Sequence, residues 1–291
     1  MIQRLKALSK IKKIIIAAIA LLLCAAIICG ICVWQQHSRY ACQYAKPFAF
    51  SEVEGYQNVK LVAHRGAAVE APENTLPALE KAAAKGYRYV EFDVRATSDG
   101  VWVLSHDDSL KRMTGFRGKV ESLTLAEVQA HPLTKGANIK DYPDLVTPTL
   151  EEALKLCKEK KLIPFVEIKT KPEGTVPYKT IVDLLAQYAL IKEAYIISFE
   201  YGALEQVRAY NAAVRLQLLT KELTEDVITN ADKLGGCGID CEYKALLKNA
   251  DFAQVIKAAK MQLNAWTVDT PQAAAEMCAL GVDYITTNAA N

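Results

Sequence analysis

The 291 residues carry 35 basic and 33 acidic side chains, but seven of the basic ones fall in the first 46 residues, ahead of the first acid at Glu52. The remainder holds 28 basic against 33 acidic residues, a net of −5, which excludes nucleic-acid binding driven by bulk charge. Eight cysteines in a chain this long exclude a small disulfide-built scaffold; Cys237 and Cys241, at C-x3-C with no histidine nearby, make no zinc site and are expected as buried thiols.

In chain order, a basic cytoplasmic segment (1–13, with Arg4, Lys6, Lys10, Lys12 and Lys13) precedes 21 uncharged, mostly apolar residues, Ile14 to Trp34. That length spans a hydrocarbon core of about 30 Å. The positive-inside rule then leaves the amino terminus in the cytoplasm and puts everything after Trp34 outside, as a single-pass membrane protein. A cleaved signal peptide would have a shorter apolar region and an A-x-A-like site, and no such site follows. Leu or Ile before Cys24, Cys29 and Cys32 fits a lipoprotein signal poorly. A polar link (35–58) leads to one large domain (59–291).

In that domain β-type runs alternate with helical ones. Strands are predicted at Leu61–His64, Tyr89–Val94, Pro164–Ile168, Tyr195–Ser198, Arg215–Leu219, Gly238–Glu242, Leu263–Val268 and Tyr284–Thr286. Helices are predicted at Leu76–Lys85, Leu150–Glu159, Lys179–Tyr188, Gly202–Tyr210, Thr224–Lys233, Asp251–Lys260 and Pro271–Leu280. Thr149-Leu150-Glu151-Glu152 reads as a capping box, Pro271 follows an N-cap threonine, and Gly86 and Gly281 end helices. Eight strands with helical crossovers imply a (β/α)8 TIM barrel, while an open doubly wound sheet would show a glycine-rich turn after its first strand. No eighth helix follows the last strand, so either the segment from Lys46 to Gln57 covers that side or a groove is exposed there.

Trp102–Ser105 is a ninth β-type run, too close to the second strand for a parallel crossover. It is expected to fold back as a hairpin at Ser98-Asp99-Gly100 and to bring His106 opposite Asp93. Glu91 and Asp93, at i and i+2, share a strand face near the barrel mouth. Two carboxylates buried together call for a cation, and oxygen-only ligation selects Mg2+ or Ca2+. His64 ends the first strand, Glu167 and Lys169 end the third, and Trp266 lies near the end of the seventh, where barrel enzymes hold their reacting groups. Two imidazoles, paired carboxylates and Arg65 within one short stretch suit metal-assisted cleavage of a phosphodiester. His37 and His131 lack such company and are expected at the surface. Glu73 either orients Arg65 or lies on the loop; Asn74 and Thr75 are as well suited to capping as to catalysis.

Seven ordered segments carry a resemblance. Ala63-His64-Arg65-Gly66, Pro72-Glu73-Asn74-Thr75, Val90-Glu91-Phe92-Asp93-Val94, Thr97-Ser98-Asp99-Gly100, Ser105-His106-Asp107, Pro148-Thr149-Leu150-Glu151-Glu152 and Val166-Glu167-Ile168-Lys169 together resemble the signature of the glycerophosphodiester phosphodiesterase family, from about Leu61 to Thr287. The resemblance implies a TIM barrel that hydrolyses glycerophosphodiesters to glycerol 3-phosphate and an alcohol with one divalent metal. On this chain it implies Glu91, Asp93 and Glu167 as metal ligands, His64 and His106 as base and acid, Arg65 and Lys169 on the phosphate, and Phe199 and Trp266 on the glycerol or leaving-group side. Two departures stand out: Ile285-Thr286-Thr287-Asn288 replaces the family's usual Thr-Asp-x-Pro turn, and Leu110 to Val146, where such proteins often place a cap, is short and helix-poor. Two further activities fit the same residues, a lysophospholipase D acting beside the bilayer and a non-catalytic envelope protein binding polyol phosphates.

Overall fold

Runs of valine, isoleucine, leucine and tyrosine form the strands, as their fit to a pleated, buried surface dictates. In the computed structural model, which describes residues 45–172 and 176–289, these are β1 (Lys60–Ala63), β2 (Tyr89–Ala96), β3 (Trp102–Leu104), β4 (Ile163–Ile168), β5 (Tyr195–Ser198), β6 (Arg215–Thr220), β7 (Gly238–Glu242), β8 (Leu263–Trp266) and β9 (Tyr284–Thr287). All but β3 pair in parallel in chain order, and β9 returns to β1, closing the expected eight-stranded barrel. The basic segment, the 14–34 span and the first part of the link (35–44, with His37) lie outside the described residues. Among the described residues no helix is long and apolar enough to cross a membrane.

The outer helices of the described residues are α1 (Leu76–Ala84), α2 (Lys111–Thr114), α3 (Leu125–Gln129), α4 (Leu150–Lys160), α5 (Tyr178–Gln187), α6 (Tyr201–Tyr210), α7 (Glu225–Lys233), α8 (Tyr243–Lys248), α9 (Asp251–Ala258) and α10 (Pro271–Leu280). Thr149 and Glu152 form the full capping box of α4; Thr270 caps α10, and Gly281 ends it at φ 73°. The six residues of α8 are too few for a helical period to show in sequence, so that helix escapes prediction. The stretch after β3 holds α2 and α3, packed on a small apolar cluster of its own around Val103, Leu110, Val120 and Val128.

Two expectations about the barrel's edges resolve differently. Among the described residues no helix follows β9, and the slot beside α10 is taken by the segment before β1. Phe50 and Val53 are buried there, Phe50 meets Tyr56 edge to face at 6.1 Å, and the Phe48 amide donates to the carbonyl of Ala289 at 3.0 Å. The hairpin register, in contrast, needs correction. Val94 pairs with Leu104 and Ala96 with Trp102, so Ser105, not His106, stands opposite Asp93. The cause is the turn: Thr97 N–H donates to Val101 O, giving a three-residue loop with Gly100 at φ 81°, rather than a turn centred between Asp99 and Gly100. The sheet ladder therefore does not place the His106 ring.

Inside the barrel, the lower part is filled by Tyr89, Phe165, Tyr195 and Tyr284, with Phe165 stacked on Tyr195 at 4.2 Å and the Tyr195 and Tyr284 hydroxyls 2.9 Å apart. Cys237 and Cys241 are buried free thiols pushed upward by burial, as expected of inert packing groups.

Candidate active site

The pleat of β2 turns Glu91 and Asp93 to one face, and the β2–β4 ladder pairs Asp93 with Glu167. Oxygens of the three carboxylates lie within 4.8 Å of one another, and all three residues are buried. Glu91 Oε1 is buried without a hydrogen-bond partner, and Asp93 Oδ1 meets the Lys169 ammonium at 3.2 Å without a well-aligned bond. A sheltered oxygen-only donor set with an unsatisfied acceptor fits a hard divalent cation.

The turn after β1 supplies the next groups. Arg65 and Gly66 both take positive φ, and a Cβ on Gly66 would lie 2.7 Å from the backbone of Ala78 in α1, so glycine alone fits. This tight turn aims the Arg65 amide at Glu91 Oε2 (2.8 Å) and leaves its Nε 3.3 Å from Asp93 Oδ2. Arg65 Nη1 donates to Glu73 Oε1 at 2.8 Å, so the buried Glu73 does orient Arg65. Asn74, also at positive φ, donates to Asp93 Oδ2 at 2.8 Å and accepts from the Asp93 amide at 3.0 Å, while Thr75 caps α1. His64 holds Asn288 Oδ1 through Nδ1 at 2.8 Å, and Asn288 is itself held by Asp269.

His106 reaches the same site from the other side, its Nδ1 2.9 Å from Asp107 Oδ1, with its main-chain oxygen held by Arg95. Lys169 donates to Glu167 Oε1 at 2.6 Å. Phe199 and Trp266 meet edge to face at 5.7 Å, Phe199 is 39% exposed, and the ammonium groups of Lys169 and Lys221 stand 5.8 and 5.9 Å from its ring centre. The structure thus gathers all nine residues singled out above. His131 stays apart, stacked on Phe116 at 3.7 Å.

Crowding governs the ionisation. Burial, then Asp93 and Glu167, push Glu91 well above the usual carboxylate range; burial pushes Glu167 up to about 7 against the pull of Lys169. Burial also acts on Asp93, but Lys169, His106, Arg65 and Asn74 outweigh it and hold its carboxyl well below that range. Burial and the Arg65 charge lower His64 to about 3, so its approach to Glu91 at 3.9 Å is a neutral contact rather than an ion pair. His106 is also lowered by burial, with Asp93 and Asp107 pulling back.

Residues 64–291 match the model of the glycerophosphoryl diester phosphodiesterase family. The chain belongs to this family. It is 38% identical over 133 residues to glycerophosphodiester phosphodiesterase 1 of Mus musculus, a match covering 45% of this chain and 38% of that protein's length. Among solved structures, a glycerophosphodiester phosphodiesterase from Parabacteroides distasonis superposes with a TM-score of 0.68 at 30% identity, over 79% of this chain and 93% of its own. An Oleispira antarctica phosphodiesterase solved in complex with the product sn-glycerol-3-phosphate superposes with a TM-score of 0.72 at 26% identity, over 80% of this chain and 95% of its own.

For this family member, sequence reasoning missed Arg112, Asn288 and Asp269. Asn288 continues the inward alternation of Tyr284 and Thr286, a signal that was open to view. Arg112 sits in the segment after β3, whose course no periodicity reveals.

Proposed function

We propose that this chain hydrolyses glycerophosphodiesters to glycerol 3-phosphate and an alcohol, with Mg2+ or Ca2+ held by Glu91, Asp93 and Glu167. The observation that carries the reading is the cluster of three buried carboxylates within 4.8 Å, set between two imidazoles and the cationic Arg65 and Lys169. When bound, the ion supplies positive charge that neutralises the carboxylates and acidifies the attacking hydroxyl.

The hydrogen-bond partners divide the two histidines. His64 rests on the amide oxygen of Asn288, which fixes Nδ1–H and leaves Nε2 as a neutral base for the glycerol 2-hydroxyl. His106 rests on the Asp107 carboxylate, which stabilises the imidazolium and suits it to donate from Nε2. The 2-oxygen attacks phosphorus, a cyclic phosphate forms, and the leaving alkoxide takes the His106 proton. His106, now neutral, then takes a proton from water as the hydroxide opens the ring, and His64 returns its proton to the 2-oxygen. Arg65 and Lys169 hold the phosphoryl oxygens, and Phe199 and Trp266 line the glycerol or leaving-group side.

The 21-residue run at 14–34 supports a further part of the proposal, an uncleaved anchor with the barrel outside the cell membrane. A single assay tests the activity: the purified chain, stripped with EDTA and given back Mg2+ or Ca2+, on glycerophosphodiesters of several head groups and on lysophospholipids. Metal-restored release of glycerol 3-phosphate is expected. Turnover that ignores EDTA would overturn the metal site, cleavage of lysophospholipids alone would make it a lysophospholipase D, and binding without turnover would make it a polyol-phosphate receptor.

A further inference from the structure

Glu73, buried in the loop after β1, and Asp107, in the segment after β3, are joined by one side chain. Arg112 donates from Nη2 to Glu73 Oε1 at 2.6 Å, from Nη1 to Glu73 Oε2 at 2.9 Å and from Nε to Asp107 Oδ2 at 2.6 Å. Its side chain is only 7% exposed. The ion pairs run on in both directions. Glu73 Oε1 takes Arg65 Nη1 at 2.8 Å, Arg65 Nε reaches Asp93 at 3.3 Å, and Asp107 Oδ1 holds His106 Nδ1 at 2.9 Å. A continuous chain of charge thus links a carboxylate of the acidic cluster to the second imidazole through Arg112.

We propose that Arg112 is a positioning residue for the reaction assigned above: it locks Asp107 and Glu73 into one geometry, so that His106 directs Nε2 at the leaving group while Arg65 faces the phosphate. The inference rests on that functional reading. Three physical points support it. The hairpin register leaves the His106 ring unplaced by the sheet, since Ser105 is the last residue bonded to Asp93 (N to O, 3.0 Å). The main chain of His106 is tied by Arg95, but its ring is held at Nδ1 by Asp107, whose other oxygen Arg112 fixes. Engaging two carboxylates from three nitrogens in one plane is within reach of a guanidinium and not of an ammonium.

Arg112 also has an electrostatic role. Its charge opposes that of Asp107 and so weakens the hold of Asp107 on the imidazolium proton. The other charged or titratable groups around His106 are Asp93 from β2, Arg65 from the loop after β1, Lys169 after β4, and the His64 ring. Removing Arg112 leaves these groups in the chain and takes the counter-charge from Asp107 and from Glu73, which keeps its pairing with Arg65.

The test uses the full chain with saturating metal, as wild type, Arg112→Gln, Arg112→Lys, Asp107→Asn and the double variant Arg112→Gln/Asp107→Asn. Arg112→Gln should lower kcat by about 10–100-fold, the usual effect of losing a group that orients a reacting side chain, with KM and metal content nearly unchanged. Its alkaline limb in kcat against pH should move to higher pH. Arg112→Lys should recover only part of the rate. In the Asp107→Asn background the further loss of Arg112 should lower kcat by clearly less than it does in wild type, because the route through Asp107 is already cut and only the one through Glu73 and Arg65 remains. Additive effects, a rise in KM with kcat intact, or an unmoved pH profile would overturn the proposal. If Arg112→Gln fails to fold, a wild-type kcat in Arg112→Lys overturns it equally. Should wild type itself show no metal-dependent turnover, the functional reading falls, and NMR titration of the His106 ring still decides this point: its pKa must rise in Arg112→Gln, and an unmoved resonance would refute the inference.

Discussion

The lower and upper parts of the barrel interior are built by the same strands and meet opposite fates. At the bottom, Tyr89, Phe165, Tyr195 and Tyr284 pack ring against ring, the Tyr195 and Tyr284 hydroxyls pair at 2.9 Å, and Arg215 donates to Tyr195 at 3.0 Å. Two residues further along β2 and β4, the same alternation turns Glu91 and Glu167 inward, where they repel each other and leave Glu91 Oε1 without a partner. Satisfied polar tips make the floor a source of stability. The crowded acids above it, with Glu91 Oε1 unpartnered, are a local cost that a bound cation would offset.

The comparison breaks first at activity. Glu91→Ala should reduce metal-dependent release of glycerol 3-phosphate to background; persistent turnover in that variant would remove Glu91 from the ligand set. His106→Ala should lower kcat by about 10²–10⁴-fold with bound metal unchanged by elemental analysis. Metal lost along with the rate would instead make that imidazole a ligand. At the floor, Phe165→Ala should cost about 3–5 kcal/mol in denaturant unfolding. Its metal content at low temperature should stay unchanged, since the acids do not depend on that ring for charge.

Two smaller effects sharpen the contrast through pH. Glu167 is raised to about 7 and Glu91 well above its ordinary value, so a cation binding the cluster should release protons from it. Metal affinity should therefore fall as pH drops through 7, by up to about tenfold per pH unit for each proton released, measured by calorimetric titration in two buffers. Affinity unchanged between pH 6 and pH 8 would mean the carboxylates are already ionised. A carboxylate raised in the folded state destabilises it once pH climbs past the unfolded value, and not below. Glu91→Gln should accordingly raise the Tm of metal-free protein at pH 8, by about 2–4 °C per kcal/mol relieved, and leave it unchanged near pH 4. A lower Tm at pH 8 would show that Glu91 is stabilised by groups not yet identified.

Much of this site is legible in the chain because its parts are local. Glu91 and Asp93 share a face by pleat alone, and Pro148 to Glu152 announces a helix start that forms as written. The hairpin shows where local rules stop. Whether the turn takes two residues or three shifts the register by one, and Ser98-Asp99-Gly100 is compatible with both until Thr97 N–H finds Val101 O. Arg112 is harder still, since nothing near position 112 indicates that Glu73, 39 residues earlier, will lie against it.

By itself the sequence determined the order of the strands and of the longer helices, the barrel class and the residue types at the mouth, because periodicity, capping and pleat act over a few residues. Tertiary structure alone decided which carboxylate is left unpaired, which partner each imidazole takes, and how the stretch before β1 fills the slot beside α10. Those outcomes depend on contacts between segments far apart in the chain, whose energies exist only once the barrel has closed.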